Sequence, residues 1–240
     1  MMKRFARTVL FLFACPLVVH ADPLARAREI NVIDIPTAEV VDHYGYNVNF
    51  RFGRDGALQT KTAFGVFPRL NLGFGLDAEH VIGTGDSRMN KPTLNMKFRI
   101  FDGKPALPAL AVGFDGQGYV WNKALNDYEQ REKGLYLVGS KEIIFPDFNV
   151  HAGVNHFDFE HGHSTRGFFG LDYTYEHLVG VMGEWDHATN YRERRFNFGA
   201  RYYVSPVFTV EAIVRNIPKF PESEARITER IVRLAYTGSF

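Results

Sequence analysis

RIVRLAYTGSF, residues Arg230–Phe240, alternates without a break: Val232, Leu234, Tyr236 and Gly238 fall on one side of an extended chain, and Ile231, Arg233, Ala235, Thr237 and Ser239 on the other. Phe240 stands in phase with the apolar set. A chain end that nothing holds is usually a frayed polar tail. An aromatic residue in phase with a strand reads instead as a residue that packs against something apolar.

The same period of two runs back through the chain. Tyr44, Tyr46, Val48, Phe50 and Phe52 interleave with His43, Gly45, Asn47, Asn49 and Arg51, and Leu94, Met96, Phe98 and Ile100 interleave with Asn95, Lys97 and Arg99. Leu72, Phe74, Leu76 and Ala78 repeat the pattern, as do Phe196, Phe198, Ala200 and Tyr202, and then Phe208, Val210, Ala212 and Val214. Helical spacing would scatter the charges around a cylinder, whereas a spacing of two sends each set to one face of a sheet. About twelve such segments are expected, near residues 41–53, 58–67, 70–80, 93–102, 109–121, 134–144, 149–159, 166–176, 178–187, 194–204, 206–217 and 229–240. The sixth and seventh fit least well. Leu135-Tyr136-Leu137-Val138 is apolar on both faces, and His156 to Phe159 slips register, which leaves room for a bulge.

Composition narrows the class. The 22 Phe and 11 Tyr are many for 240 residues, and the formal net charge is only +1. The basic residues form no single run, so a nucleic-acid partner is excluded. Lys3, Arg4 and Arg7, the apolar Val9–Val19 and the small-residue site Val19-His20-Ala21 read as a cleaved export signal, residues 1–21. The lone Cys15 lies within it, so thiolate and disulfide chemistry are not expected of the mature chain. Residues 22–38 are expected to be a periplasmic N-terminal segment, with a tail or a segment entering the barrel as alternatives for Asp22–Pro36, and residues 39–240 the β-domain.

The connections separate a membrane barrel from a soluble sandwich. Phe67-Pro68-Arg69, Asp102–Leu107, Phe145-Pro146-Asp147, Glu176-His177 and Ser205-Pro206 are short. They alternate with the longer HVIGTGDSRMNKPT (His80–Thr93), NKALNDYEQREKG (Asn122–Gly134), HATNYRER (His187–Arg194) and PKFPESEAR (Pro218–Arg226). Short periplasmic turns and longer external loops mark a single antiparallel transmembrane β-barrel, an all-β fold of the bacterial outer membrane. In this phase Tyr44, Tyr46, Tyr173, Tyr175, Tyr202, Tyr236 and Phe240 fall at the periplasmic rim, and Trp121 and Trp185 at the outer rim, the two levels that aromatic rings favour. A soluble barrel with its apolar face inward uses the same alternation but explains neither rim.

Several stretches carry a family resemblance: IPTAEVVDHYGYNVNFRF (Ile35–Phe52), FGVFPRLNLGFGLD (Phe64–Asp77), PALAVGFDGQGY (Pro108–Tyr119), GLYLVGSKEI (Gly134–Ile143), NFGARYYVSPVFTVEAIVRNI (Asn197–Ile217) and ERIVRLAYTGSF (Glu229–Phe240). Together they resemble an uncharacterised family of bacterial outer-membrane barrels, akin to the YjbH-like group linked with exopolysaccharide. The resemblance implies the fold and the location, and it carries no catalytic residues. Tyr236 and Phe240 also resemble the terminal aromatic signal read by the barrel assembly machinery.

The inward set is charged. Arg51, Lys61, Lys97, Arg99, Arg195, Arg201, Arg215 and Arg233 face Asp115, Asp172, Glu184, Asp186 and Glu211, and these thirteen are the candidate pore-lining residues. On the lipid face an Arg or Lys at mid-depth would cost roughly 2–4 kcal/mol, so their phase is informative. Strands ten, eleven, twelve, one and two should give a basic wall, and strands eight and nine an acidic one. Two functions follow: a narrow pore in which opposed rows across a wet lumen select small polar or anionic solutes, or a plugged, non-conducting scaffold or accessory for exopolysaccharide or envelope assembly. A lipid-facing hydrolase is a weaker third reading. His161-Gly162-His163-Ser164 shows no base and orienting group for its serine, and His156, His161, His163 and His187 are more simply solvated loop histidines than a metal site. No enzyme activity, catalytic residue, metal or cofactor is assigned. The expected partners are outer-membrane lipid, the assembly machinery, and a polysaccharide or small anionic solute.

Overall fold

The computed structural model describes residues 29–122, 127–131, 133–156, 165–189, 194–217 and 228–240, and between 119 and 132 only the Tyr128 side chain. The export signal, the rest of the N-terminal segment to Arg28, the outer loop with His161, His163 and Ser164, and Pro218–Arg226 lie outside the described residues, as does the Trp121 side chain.

Twelve strands form the wall: β1 Gly45–Phe52, β2 Leu58–Phe67, β3 Leu70–Glu79, β4 Thr93–Phe101, β5 Ala109–Asp115, β6 Gly134–Glu142, β7 Phe148–His156, β8 Thr165–Tyr175, β9 Val179–Asp186, β10 Arg195–Ser205, β11 Phe208–Ile217 and β12 Glu229–Ser239. Each pairs antiparallel with its neighbour, and β1 pairs with β12 from Gly45 opposite Ser239 to Phe52 opposite Val232. The sheet is therefore closed. Closure is what hydrocarbon demands, since each unpaired backbone group facing lipid costs several kcal/mol.

The phase read from the sequence holds around the wall. Leu94, Phe98, Leu135, Val181, Phe198 and Val232 are open on the outside, while Asn47, Arg51, Asn71, Lys97, Asp172, Asn197, Arg201, Glu211 and Arg233 are buried inside. That distribution rules out the soluble barrel with an apolar interior. Phe240 packs on Tyr46 with ring centroids 5.0 Å apart, and its N–H donates to the Tyr44 carbonyl at 2.9 Å, so the terminal ring joins the rim. At the other end Trp185 stacks on Phe196 at 5.4 Å.

One strand ends well short of the expectation. The fifth segment ends at Asp115, and Gly118–Asn122 belongs to a separate two-stranded hairpin with Asp127–Arg131. There Gln117 is fully buried and donates to the Tyr128 hydroxyl at 2.8 Å, which turns the chain off the wall. Strands β6 and β7 pair without a slip as far as His156, while Phe157–Phe159, the rest of the stretch that slips register in the sequence, lie outside the described residues; the register shifts described on the wall lie at Gly65/Phe67, Arg99/Phe101, Phe196/Phe198 and Tyr203/Ser205. The first outer connection, Gly53–Ala57, is short and built on a 3-10 turn at Arg54–Gly56. At the opposite end Glu176 and His177 both take positive φ, the tight geometry that suits a two-residue hairpin.

Candidate functional site: a lumen filled by an N-terminal loop

The site begins where the alternation does not. Residues 29–41 carry no period of two, and they form no wall strand. Asn31 and Pro36 bridge, the Val32 N–H donates to the Ile35 carbonyl at 3.0 Å, and the Thr37 N–H to the Ile30 carbonyl at 3.1 Å. The result is a narrow loop. It enters past the short-turn end of the barrel, turns at Val32–Ile35, and returns through Val41 to the start of β1. By the rule that periplasmic turns are short, that end is periplasmic.

The turn is apolar, and the wall receives it with apolar side chains. Val32, Ile33, Ile35 and Ala38 cluster with Ala111, Tyr136, Val138, Phe168, Met182, Ile213 and Ile231. These wall residues face inward, which explains why the sixth segment reads as apolar on both faces. Gly170 supplies the remaining room: a β-carbon there would lie 2.3 Å from Ile35 Cδ1.

Polar bonds fix the loop on all sides. The N–H groups of Ile33, Asp34 and Ile35 donate to the Glu184 carboxylate at 3.0–3.1 Å, a concave set of amides around an anion. Arg233 donates to the Val32 and Ile33 carbonyls at 2.7 and 2.8 Å, and Arg51 to that of Ile33 at 3.0 Å. Lys97 spans both arms, giving hydrogen bonds to the carbonyls of Ile30, Thr37 and Glu39 at 2.6, 3.1 and 3.1 Å. Asn71 exchanges two hydrogen bonds with the Val41 backbone, at 2.7 and 3.0 Å.

Each carboxylate of residues 29–41 sits on a wall arginine. Glu29 meets Arg201 at 3.0 Å, Asp34 meets Arg51 at 2.7 Å and Arg215 at 3.3 Å, and Glu39 meets Arg99 at 2.8 Å. Burial alone would raise the Asp34 carboxyl, but Arg215 and Arg51 outweigh it and hold that group well below the usual carboxylate range. At Glu29 burial dominates over Arg201 and pushes the carboxyl up to about 7, while the side chain stays 26% open to the vestibule below.

The remaining candidates are brought together in pairs along the wall. Lys61 binds Asp115 at 2.9 Å, and Glu211 bridges Arg201 and Arg233 at 2.8 and 2.5 Å. Arg195 is buried opposite Asp186, which binds Lys133 at 2.7 Å. These side chains turn to the inside of the wall, but the opposed rows do not look at each other across open water: the loop lies between them and takes Arg51, Lys97, Arg99 and Glu184, while Glu211 with Arg201 and Arg233, and Arg215 with Glu229, pair between adjacent strands. Lys133 was missed because it follows the external hairpin and no alternation points it inward.

A second unforeseen cluster joins three adjacent strands. Ser140 Oγ lies 2.7 Å from His151 Nδ1, and His151 Nε2 lies 2.8 Å from Asp172 Oδ1. With the proton on Nε2, the ring donates to Asp172 and accepts the serine O–H. The Ser140 oxygen already accepts the Ala38 N–H at 2.7 Å, so the trio latches the returning arm, and no catalytic step is assigned to it. Below it, Glu29, Glu39, Arg99, Lys141, His151 and Asp172 help line a vestibule of about 1070 Å³ at the periplasmic mouth. Beside the loop, a gap of about 40 Å³ remains near Lys61, Lys97 and Asp115, room for a few waters and no solute.

No family model matches the sequence, and no curated protein matches it. Among solved structures the chain is similar to a KdgM porin in complex with disordered oligogalacturonate, at 12% identity and a TM-score of 0.50, covering 82% of this chain and 99% of that one. It is similar also to a second structure of KdgM porin, at 11% identity and a TM-score of 0.50, covering 81% of this chain and 99% of that one. The fold is thus that of a closed transmembrane β-barrel, as in those two structures. With an apolar exterior, aromatic rims and a closed twelve-strand wall, the chain is an outer-membrane protein.

Proposed function

We propose that the chain is a narrow outer-membrane pore for small polar or anionic solutes, held shut here by its own N-terminal loop. The observation that carries this reading is the loop's pattern of charge: an acidic peptide segment lies in the lumen with each of its carboxylates, Glu29, Asp34 and Glu39, on a wall arginine. A wall that holds one anionic segment in this way is suited to pass or hold another. The KdgM structure with oligogalacturonate is a barrel of this fold beside an acidic ligand, which supports the class of solute without naming one for this chain. Reversal potentials across a salt gradient test the reading. Anion preference is expected, weakening as the Debye length falls from about 10 Å at 0.1 M to about 3 Å at 1 M salt, and cation preference would refute it.

A non-conducting scaffold for exopolysaccharide or envelope assembly, the role implied by the YjbH-like resemblance, is the second reading. The density of bonds to the loop favours it, with Lys97 alone giving three. The two readings part on whether loosening the loop opens a conductance.

A further inference from the structure

Asp34 is held unlike the other loop carboxylates. Its side chain is wholly buried at the tip of the loop, between the Arg51 guanidinium at 2.7 Å and that of Arg215 at 3.3 Å, with the Asn197 amide at 3.4 Å. The three groups come from β1, β11 and β10, so the wall presents them together whatever the loop does. Glu229 lies on the far side of Arg215 at 2.6 Å, and Glu184 beside Asn197 is occupied by the loop amides. What the tip inserts between the two arginines is chemically a bare carboxylate.

We propose that Arg51, Arg215 and Asn197 form a carboxylate-binding site of the lumen, that Asp34 occupies it in the closed state, and that carboxylate-bearing solutes open the barrel by competing for it. The inference rests on the pore reading above and adds the ligand group and the means of opening. Its logic is that of linked equilibria: a solute that binds only the loop-out state shifts the population toward that state, and its apparent affinity is lowered by the small fraction of barrels already open. The covalent attachment of the loop gives Asp34 a high effective concentration, on the order of millimolar or more. Competing solutes must therefore be abundant or carry several carboxylates.

The test uses the full mature chain with Val32→Cys as a reporter, since the only native cysteine, Cys15, falls in the expected leader. Val32 is 1% exposed, so its replacement thiol reacts with a water-soluble maleimide only when the loop leaves. Sodium glucuronate is the probe, with glucose and sodium chloride at matched ionic strength as controls. Glucuronate should raise the labelling rate at least about threefold, saturably, and the controls should not. Binding of glucuronate to Asp34→Asn should be at least about tenfold tighter than to the parent, because a closed parent has only a minor open population to offer. Labelling that responds equally to chloride, or unchanged affinity in Asp34→Asn, overturns the site. Should Asp34→Asn fail to assemble, the labelling of the Val32→Cys chain alone decides. Silence of every variant in a bilayer, with the labelling response intact, would remove the pore and leave the site. Steady conductance with no response to glucuronate would do the reverse.

Discussion

Replacing Ile35 by Ala should free the loop while leaving the barrel intact. The Ile35 side chain is fully buried, it lies against Gly170, and its neighbours belong to rigid paired strands that cannot collapse into the space it leaves. Truncation of such a side chain costs about 2–5 kcal/mol in lost transfer energy and cavity. The loss falls on seating, because residues 29–41 take no part in the strand ladder. At tenfold per 1.4 kcal/mol the open population grows by about 30-fold at least. When opening and closing are fast relative to the chemistry, labelling tracks that population. The assay is maleimide labelling of the Val32→Cys chain with and without Ile35→Ala, alongside heat-dependent gel migration as a measure of the folded barrel. An unchanged labelling rate would refute the reasoning, and so would a barrel that no longer folds, since the loop would then be part of the wall's stability.

Four further outcomes follow from the same contacts. Gly170→Val should unseat the loop with no change of charge, read as faster Val32→Cys labelling, because its β-carbon would meet Ile35 Cδ1 at 2.3 Å. Seating should be tightest near about pH 4 and weaken on both sides. Asp34, lowered in the seated state, contributes stability above the ordinary carboxylate range and loses it as pH falls through that range; Glu29, raised to about 7, contributes fully below that range and loses its contribution progressively as pH rises to about 7, so Glu29→Gln should abolish the alkaline limb of the labelling profile. Arg201→Ala with Arg233→Ala should lower barrel stability by about 3–5 kcal/mol, because Glu211 would be left buried without a partner, and adding Glu211→Gln should restore much of it in a denaturant titration. Deleting Phe240 should reduce the amount of assembled barrel far more than Ser239→Ala does, since the ring meets Tyr46 at 5.0 Å; equal yields on a heat-modifiability gel would contradict that.

The wall was legible because lipid on one side and a polar lumen on the other write a period of two into every strand. Leu94 to Ile100 against Asn95 to Arg99 is enough to fix the phase, and the closing strand fixes it again. A segment entering the barrel is one of the two alternatives the sequence leaves for Asp22–Pro36, but its seat was not legible, because a segment bound through its backbone to Arg51, Arg233, Lys97 and Glu184 needs no pattern of its own. Its trace lay on the wall: Tyr136, Val138, Phe168 and Ile231 are apolar where the lumen should be polar, and each faces the loop cluster. The run Leu135–Val138 looked like a weak strand for that reason. The inward charges were found one by one, but their partners were not, since Arg51 meets Asp34 and His151 meets Ser140 and Asp172 only once the sheet has closed.

Single-channel recording in planar bilayers, comparing the mature chain with its Ile35→Ala variant, tests most directly whether this is a pore closed by its own loop. The account predicts a parent that is mostly shut with rare brief openings, and a variant that conducts steadily with anion preference. Silence from both, with the variant well folded and its loop shown by labelling to be displaced, would contradict it.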